Sequence, residues 1–575
     1  MPYERRYSLL NSKFKELFFP TLLAAIAGNF AILADAFIIS ALLGPMNLSV
    51  IQSIEPLAQF VNMIYWLIGF GGTILSTSEK ANFNDETANY IFTLSLVSIT
   101  VISLMIMILG LLFPNSFLEI LCNSSQLRPL VYEYFKYYLL AIPFMCYFIV
   151  LAYFVKTDNF VQLQFRGFLI ANILNVVFDV ILIEYFNMGI AGAGLGMVLG
   201  YLIAAIYTST YFFNPKRTLK IIKIEFGKSV KLMAKICKTG FSSSSIALYQ
   251  SIKLVIVNSI ILGVMANVGL VAFNMCCNTL LLVSIFIFGT AQSILPIVSV
   301  YYQEKDYNGV EYVARKSLKI VVAFGIFFTA LFTLFPQTIL CVFSVSDPSQ
   351  IPSVMNAVRI FSFCLLAFSI NFLYMFYLQS IQNIKLSNVV TLLNGLIFPV
   401  TFVSVFSIIW KENGIWFAFV ASEMATLLFI YLYSKYLNRK TNGEYSGFFL
   451  KKHNDINEKM LEYTIHANKN DAIYLSRQVQ EFLPDKKASE LVSSAIKELL
   501  IYILEINDEL DWIDVIVRDN DKATIISIKY SGIGYNPKED TDLNSEHIDR
   551  LISISDNIEY SQILGLNNTV ITIKK

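Results

Sequence analysis

The sequence predicts an all-α polytopic membrane protein with twelve transmembrane helices in two six-helix lobes, followed by a small C-terminal α/β sandwich domain. Three observations predict this fold class. Hydrophobic residues make up 56% of the 575 residues, above the roughly 45–50% of soluble domains. Apolar stretches of membrane-spanning length recur as far as Lys435. Beyond Lys435 the composition becomes charged, which predicts that water replaces lipid as the solvent.

Twelve stretches meet the requirement of about 20 apolar residues for a helix that crosses a bilayer. Six precede a basic interval and six follow it. They lie near residues 17–43, 49–77, 90–113, 132–155, 164–184, 190–213, 240–263, 269–301, 316–338, 354–380, 386–410 and 413–434.

The predicted domains follow from these stretches and from the charged intervals between them. They are an N-terminal six-helix lobe at 1–215, a basic cytoplasmic linker at 216–238, a C-terminal six-helix lobe at 239–436, a second linker at 437–457, and the α/β domain at 458–575.

The distribution of Lys and Arg predicts that both termini are cytoplasmic. Arg5 and Arg6 precede the first stretch, and the linker 216–238 contains eight Lys and Arg residues. The connections GPMNLS, FNMG and GVMANVG on the opposite side contain neither residue. Cytoplasmic loops of membrane proteins carry an excess of these cations.

The two lobes resemble each other in sequence. GFGGTILSTSEKANF (69–83) corresponds to FGTAQSILPIVSVYYQEKDY (288–307), and LAYFVKTDN (151–159) to MFYLQSIQN (375–383), both at an offset of about 220 residues. Two parallel repeats predict two lobes around a shared cavity, an arrangement typical of alternating access.

Composition also excludes several classes of function. The net charge of +1 gives no basic surface for nucleic acid. The seven cysteines show no CxxC spacing, and His453, His466 and His547 all lie beyond Lys435, after the last apolar stretch. We therefore predict no catalytic residues, no metal centre, no enzyme activity and no nucleic-acid partner.

Two carboxylates in the first lobe are candidates for cation coupling. Asp35 lies deep in the first apolar stretch and Asp179 in the fifth, with Asn175 one turn earlier on the same helix face. Carboxylate and amide oxygens facing each other form either a cage for a hard monovalent cation or a proton relay. The alternative is that each Asp satisfies a backbone group or pairs with a basic neighbour, but the first lobe has no Lys or Arg at that depth.

The second lobe contains three charges at membrane depth, Lys253, Arg359 and Glu423. They are candidates for substrate contact or gating. The structural alternative pairs Lys253 with Glu423 and lets Arg359 extend to the membrane interface.

Residues 10–435 resemble multidrug and toxic compound extrusion (MATE) transporters, whose superfamily also contains polysaccharide and lipid flippases. The resemblance rests on FFPTLLAAIAGNFAILADAFIISALLG (18–44), NILNVVFDVIL, GIAGAGLGMVLGY (189–201) and YLQSIQNIKLS (377–387). It implies a secondary exporter in the cell membrane of a prokaryote, with the lipid bilayer, a small amphipathic organic solute or drug and a coupling cation, H⁺ or Na⁺, as its partners.

By this resemblance, Asp35, Asn175 and Asp179 form the cation site of the first lobe. Many sodium-coupled members have threonine where this chain has Met197. Methionine lacks the oxygen ligand that threonine would offer to sodium, so proton coupling is at least as favoured as sodium coupling. Two alternative functions stay open: a flippase for lipid-linked oligosaccharides, and a membrane-tethered sensor acting through the C-terminal domain.

The C-terminal pattern is α/β. LEYTIHA, WIDVIVR and ATIISIKY alternate with the period of strands, NIEYSQIL and NTVITIKK complete the sheet, and apolar residues from Leu491 to Ile506 repeat at helical spacing.

This layout resembles the histidine-kinase-like ATP-binding fold of anti-sigma-factor kinases, with a degenerate pocket. After Glu498 the metal-holding Asn is replaced by Tyr502, and Tyr530 stands where an adenine-reading Asp is expected. Gly532, Gly534 and Asn536 keep the pattern, while 545–555 lacks the glycine-rich lid. The resemblance therefore implies a non-catalytic domain with ATP binding disfavoured, and a regulatory protein partner.

Overall fold

The computed structural model describes residues 5–43, 46–121, 128–342, 350–451, 459–483, 486–507, 509–536 and 546–575. Within these ranges the description of side chains leaves out residues 29–37, 40, 41, 46–49, 52, 120, 226, 267, 340–342 and 487.

Helices make up the chain as far as Lys440. They are α1 (Ser8–Leu43), α2 (Met46–Ala81), α3 (Asp85–Leu112), α4 (Pro114–Leu121), α5 (Arg128–Thr157), α6 (Val161–Val180), α7 (Ile190–Ser209), α8 (Phe226–Gln303), α9 (Tyr307–Leu334), α10 (Gln337–Val342), α11 (Ile351–Ser362), α12 (Leu365–Ser380), α13 (Ile384–Leu392) and α14 (Phe398–Lys440).

Two of these helices contain a break at a non-glycine residue with positive φ. Ala266 divides α8 at φ 50° and ψ −145°, and Lys411 divides α14 at φ 49° and ψ −126°. Single residues in this region of φ/ψ space interrupt a right-handed helix without continuing it. Each break therefore divides one uninterrupted range of helical residues into two separate helices.

The described residues contain nine helical segments that are long and apolar enough to cross a membrane, or ten when α11 and α12, bent by 49°, count as one. One of the nine, Ile384–Lys440, includes the break at Lys411. In addition, the 36-residue helix α1 contains the first predicted stretch. The helix α8 begins at Phe226, inside the predicted linker 216–238.

The C-terminal part is a five-stranded antiparallel sheet with three helices. Its elements are β1 (Lys459–His466), α15 (Lys469–Phe482), α16 (Lys486–Ile506), β2 (Trp512–Asp519), β3 (Ala523–Ser531), α17 (Glu546–Ile554), β4 (Asn557–Ile563) and β5 (Leu566–Lys574). The strand order is β1-β2-β3-β5-β4. The five predicted strands are confirmed, whereas α15 and α17 were not predicted from the sequence.

Strand alternation gives this sheet two different faces. Residues such as Val515, Val517 and Ile528 pack with the helices in a core of their own. The intervening residues, including Asp514 and Lys529, point to the opposite face and contact the long helical region. The second face is therefore buried by the rest of the chain.

Candidate functional site

A glycine face on α7 allows α6 to approach it closely. Gly192, Gly196 and Gly200 are four residues apart and so lie on one side of the helix. A β-carbon on Gly196 would lie 2.2 Å from Oδ1 of Asp179, and one on Gly200 would lie 3.1 Å from the backbone nitrogen of Asn175. Larger residues at these glycines would push the two helices apart.

The predicted pair Asn175 and Asp179 lies at this contact. Asp179 is fully buried, at 0% exposure, and Asn175 is half-buried. Oδ1 of Asn175 has no hydrogen-bond partner among the described residues. A buried carboxylate one turn from an amide oxygen can accept a proton or provide oxygen ligands for a small cation.

Asp35 lies in α1, and its side chain is outside the described residues. The part of α1 that precedes it is close to α6, because a β-carbon on Gly28 would lie 3.7 Å from Nδ2 of Asn172. The structure thus brings the helix of Asp35 to the helix of Asp179.

The second lobe has a polar cluster of its own around Glu423 of α14. Oε2 of Glu423 accepts hydrogen bonds from Nδ2 of Asn371 at 2.8 Å and Nδ2 of Asn394 at 2.7 Å. Among the described residues its direct partners are these amides, and Lys253 acts on it only through its charge at longer range. Arg359 is exposed in the last turn of α11. Sequence reasoning found Glu423 but missed both asparagines.

Both lobes carry a π-helical turn in the corresponding membrane segment. One, Ile181–Tyr185, begins two residues after Asp179, where α6 ends. The other, Leu393–Ile397, contains Asn394. Asn394 is also the residue that corresponds to Asn175 at the repeat offset of about 220 residues. Because π turns are rare and occur frequently at functional sites, these two turns mark the two polar clusters.

The lobes touch each other at the end that carries the basic loops. Oγ1 of Thr77 donates to Oγ of Ser299 at 3.4 Å, and Nε2 of Gln382 donates to Oγ of Ser78 at 2.8 Å. All four residues are buried or half-buried. The two lobes are therefore in contact at this end of the structure.

Comparison with known proteins identifies the helical region. The family described as MatE matches residues 20–181 and 243–403, more than half of the chain. The chain belongs to the MatE family. Multidrug export protein MepA of Staphylococcus haemolyticus is 23% identical over 373 residues, which cover 64% of this chain and 81% of that protein.

Solved structures agree with this MatE fold. An outward-facing MATE transporter of the MOP superfamily superposes with a TM-score of 0.69 at 19% identity, over 75% of this chain and 96% of that one. A MOP-superfamily transporter from Pyrococcus furiosus, described as having a binding pocket of reversed polarity, gives 0.68 at 18% identity over the same shares. The chain is thus a membrane transporter by family, and the sheet domain lies outside the matched ranges.

One buried ion pair in the MatE region was not anticipated. Nζ of Lys80 lies 3.2 Å from Oδ1 of Asp158, and both side chains are buried. The other carboxylate oxygen of Asp158 accepts from the hydroxyl of Tyr211 at 2.6 Å and from the backbone of Thr218 at 2.8 Å. From sequence, Lys80 reads as ordinary loop variation, because its partner is 78 residues away.

In the sheet domain, aromatic side chains occupy the space between α16 and the sheet. Tyr502, Tyr530 and Tyr535 are 3%, 1% and 5% exposed, and the rings of Tyr502 and Tyr535 meet edge to face at 4.7 Å. Burial raises the pKa of the Tyr530 phenol, so it stays neutral. The carboxylate of Glu498 forms a hydrogen bond with Nδ1 of His547 on α17.

The remaining residues of the predicted pocket lie at the end of β3. Gly532 has a φ of 138°, and a β-carbon there would lie 2.3 Å from Oδ1 of Asn507. A β-carbon on Gly534 would lie 1.9 Å from the hydroxyl of Tyr560. Asn536 lies two residues beyond Gly534 and has an interaction partner of its own. These glycines are explained by tight packing within the domain.

Proposed function

We propose that this MatE protein is a secondary active exporter that moves an amphipathic organic solute or drug outward in exchange for H⁺ or Na⁺. The observation that carries the proposal is Asp179, a carboxylate at 0% exposure on a membrane helix. An ionisable group at membrane depth costs about 2.5–3.5 kcal/mol or more, and such groups mark ion pathways. The names of the curated relatives, multidrug export proteins, support the drug class of substrate.

We further propose twelve membrane passes in two six-helix lobes. The breaks at Ala266 and Lys411 each divide one long helix into two passes, and α1 adds the first. Both termini then lie on one side of the membrane. This agrees with the contact between Arg5 and Glu462 of β1, at 3.4 Å. The positive-inside rule assigns that side to the cytoplasm of a prokaryotic cell.

The coupling site joins Asp35 to Asn175 and Asp179. Asp35 is seven residues, or about two turns, beyond Gly28 on α1, and Asp179 is two turns beyond Asn172 on α6. Gly28 lies beside Asn172, and the first and fifth passes run in the same direction. This register supports a site in which the two aspartates lie at similar depth on neighbouring helices.

Proton coupling is the better supported choice of ion. Met197 follows Gly196, the residue that touches Asp179, and its thioether is a poor ligand for a hard cation such as Na⁺. Two neighbouring carboxylates also hold a proton readily, because their like charges oppose full ionisation.

The test is dye efflux from proteoliposomes that contain the purified protein. Cationic dyes are loaded, and a pH gradient and a sodium gradient are imposed separately. We expect the pH gradient to drive efflux. Asp35→Asn and Asp179→Asn should abolish it, because each substitution keeps the shape and removes the titratable charge.

The matched control is Glu184→Gln, the same carboxyl-to-amide change at an exposed position five residues beyond Asp179. It should transport at the wild-type rate. Wild-type efflux by a folded Asp35→Asn, Asp179→Asn double variant would overturn the coupling site. Transport of a lipid-linked oligosaccharide without dye efflux would favour the flippase alternative.

For the sheet domain we propose a regulatory role without nucleotide. Its sequence pattern resembles that of the kinase-like fold, and the buried Tyr502 and Tyr530 stand where this resemblance implies a metal-holding Asn and an adenine-reading Asp. A protein partner on this domain and a sensor function both remain compatible with such a role.

A further inference from the structure

A cluster of buried charges lies where the two lobes and the sheet domain meet. Arg5 of the N-terminal segment donates to both carboxylate oxygens of Asp306, at 2.7 and 2.6 Å. The same guanidinium lies 3.4 Å from Glu462 of β1 and 3.7 Å from Asp514 of β2. Asp306 is the N-cap of α9, in the second lobe. Arg5 therefore connects the first lobe, the second lobe and the sheet domain.

Lys529 of β3 completes the cluster from the side of the sheet domain. Its ammonium group lies 2.6 Å from Glu304 and 3.6 Å from Asp306, and 4.0 Å from the centre of the Tyr301 ring. The side chains of Lys529 and Glu304 are 3% and 8% exposed. Nδ2 of Asn568 donates to the other oxygen of Glu304 at 2.8 Å. The domain thus binds the loop between α8 and α9 through matched, desolvated charges.

The pKa values of the two carboxyl groups in this loop, Asp306 and Glu304, are shifted in opposite directions. Burial alone would raise the pKa of Asp306, but Arg5 and Lys529 more than offset it and hold that pKa well below its usual value. Burial raises the pKa of Glu304, and Lys529 only partly offsets this effect. The attraction between Asp306 and Arg5 joins the two lobes, and the attraction between Asp306 and Lys529 favours the docked position of the sheet domain.

The domain also touches the first lobe away from this cluster. A β-carbon on Gly565, in the turn between β4 and β5, would lie 2.1 Å from Nδ2 of Asn159. Asn159 belongs to the loop between α5 and α6. Ile563, Leu564 and Leu566 are buried in the same apolar cluster as the membrane helices. The sheet domain consequently spans both lobes.

The linker fixes the domain to the second lobe. Phe448, Phe449 and Leu450 are 9%, 3% and 2% exposed, and the hydroxyl of Tyr377 on α12 donates to the carbonyl of Phe448 at 2.8 Å. When the lobes separate at this end, a domain held by the second lobe loses its contacts with the first. Docking across both lobes and opening between them therefore exclude each other.

Resting on the proposed function, we infer that the C-terminal domain is a latch that holds the cytoplasmic end of the transporter closed and must leave the first lobe before that end opens. A ligand or domain that binds one of two conformations shifts the equilibrium by its differential affinity for them. The latch favours the outward-facing conformation by the free energy of its contacts with the first lobe. Anything that displaces the domain then accelerates the return step.

The first experiment measures opening directly, without a transported substrate. Ser299, fully buried at the contact between the lobes, is replaced by Cys in the full-length protein. Its rate of labelling by a thiol reagent from the cytoplasmic side is read by peptide mass spectrometry. Glu462→Lys places a like charge against Arg5 of the first lobe, 3.4 Å away, and should raise this rate at least about fivefold, the lower end of typical coupling between sites.

The matched control is Glu490→Lys, the same charge change at an exposed position of α16. It should leave the labelling rate unchanged. Equal labelling rates for the folded Glu462→Lys and Glu490→Lys variants would overturn the latch. This outcome does not depend on dye efflux, so failure of the proposed transport activity is a separate result.

The second experiment locks the latch. In the Ser299→Cys protein, Asn159→Cys with Gly565→Cys, joined by a reducible cross-linker, should stop labelling at position 299 and stop efflux, and a reductant should restore both. The same triple variant without the cross-link is the control for the strained position 565, where φ is 68°. Labelling and efflux that continue at the uncross-linked rate would contradict the latch.

Discussion

Gly196 of α7 lies so close to Asp179 of α6 that a β-carbon at position 196 would be 2.2 Å from the carboxylate oxygen Oδ1. The same β-carbon would be 3.1 Å from the backbone nitrogen of Asp179. The glycine therefore sets both the position of the carboxylate and the separation of the two helices. Its role is to leave room, which hydropathy alone does not reveal.

Gly196→Ala should displace the Asp179 side chain and reduce gradient-driven dye efflux at least tenfold, because a contact of 2.2 Å forces the carboxylate or the helix to move. A misplacement of about 1 Å in a functional group commonly costs on the order of a hundredfold in rate. Initial efflux rates in proteoliposomes give the measurement. Gly263→Ala is the control, because a β-carbon there meets nothing within 4 Å and efflux should be unchanged.

Met197→Thr should add sodium dependence to transport. The substitution supplies a hydroxyl oxygen next to the glycine that contacts Asp179, and hard cations prefer oxygen ligands. Efflux is measured at fixed pH while sodium is varied. Wild-type protein should respond little to sodium, and the variant should respond more strongly. Saturable sodium-driven efflux by the wild-type protein would contradict proton coupling.

Lys80→Ala should destabilise the first lobe strongly, because it leaves the buried carboxylate of Asp158 without its cation. Removing one partner of a buried ion pair costs about 3–5 kcal/mol. Lys235→Ala removes the cation of an exposed pair, 3.8 Å from Glu79, and exposed pairs are worth about 0–1 kcal/mol. Thermal unfolding in detergent should show a lower midpoint temperature for Lys80→Ala and almost no change in the midpoint for Lys235→Ala.

The sequence predicted most of the elements because each depends on local periodicity. The twelve apolar stretches fall on helices, and the five alternating stretches are the strands β1 to β5. The α15 helix was missed even though Asn468 caps its first turn by accepting from the backbone of Asp471. In α15, Ala472, Leu475 and Val479 do repeat at helical spacing, so this helix could have been found from the sequence, whereas α17 has only nine residues.

The contacts that complete the sites were not predictable from one sequence. Arg5 and Asp306 are 301 residues apart, and Lys529 and Glu304 are 225 apart. Nothing local in either segment specifies such a partner. The alternation that predicts β3 does indicate that Lys529 points away from the core of the sheet domain. A lysine on that face is equally expected of a strand that faces water, so the docking contact itself was not predictable.

Residues 455–575 should fold in isolation and should not bind nucleotide. The domain has an apolar core of its own, in which Tyr502 and Tyr530 are buried. By the resemblance in sequence, these tyrosines stand where a metal-holding Asn and an adenine-reading Asp are expected. Neutral phenols do not replace a metal-holding amide or a carboxylate that reads adenine. Thermal unfolding with millimolar Mg-ATP should show no shift. A rise of several degrees would mean that the pocket is intact and would favour the sensor function.

Asp306 and Asp514 belong to one charge cluster, yet their amide variants should change docking in opposite directions. The pKa of Asp306 is lowered in the docked state, where Arg5 and Lys529 outweigh burial. Its charge therefore stabilises docking above its ordinary pKa. The pKa of Asp514 is raised by burial, which Arg5 at 3.7 Å, Thr464 and Lys529 only partly offset. Its charge therefore opposes docking, and this cost grows as pH rises through the docked pKa.

At pH 8, Asp306→Asn should accelerate labelling of Ser299→Cys from the cytoplasmic side, and Asp514→Asn should slow it relative to the wild-type protein. The effect of Asp514→Asn should shrink as the pH falls through the raised docked pKa of Asp514, because protonation of the carboxyl then removes the same charge that the substitution removes. The effect of Asp306→Asn should persist at pH 5, since its lowered pKa keeps that carboxylate charged. Variants that both accelerate labelling would show that the cluster contributes to docking only as a sum of direct contacts.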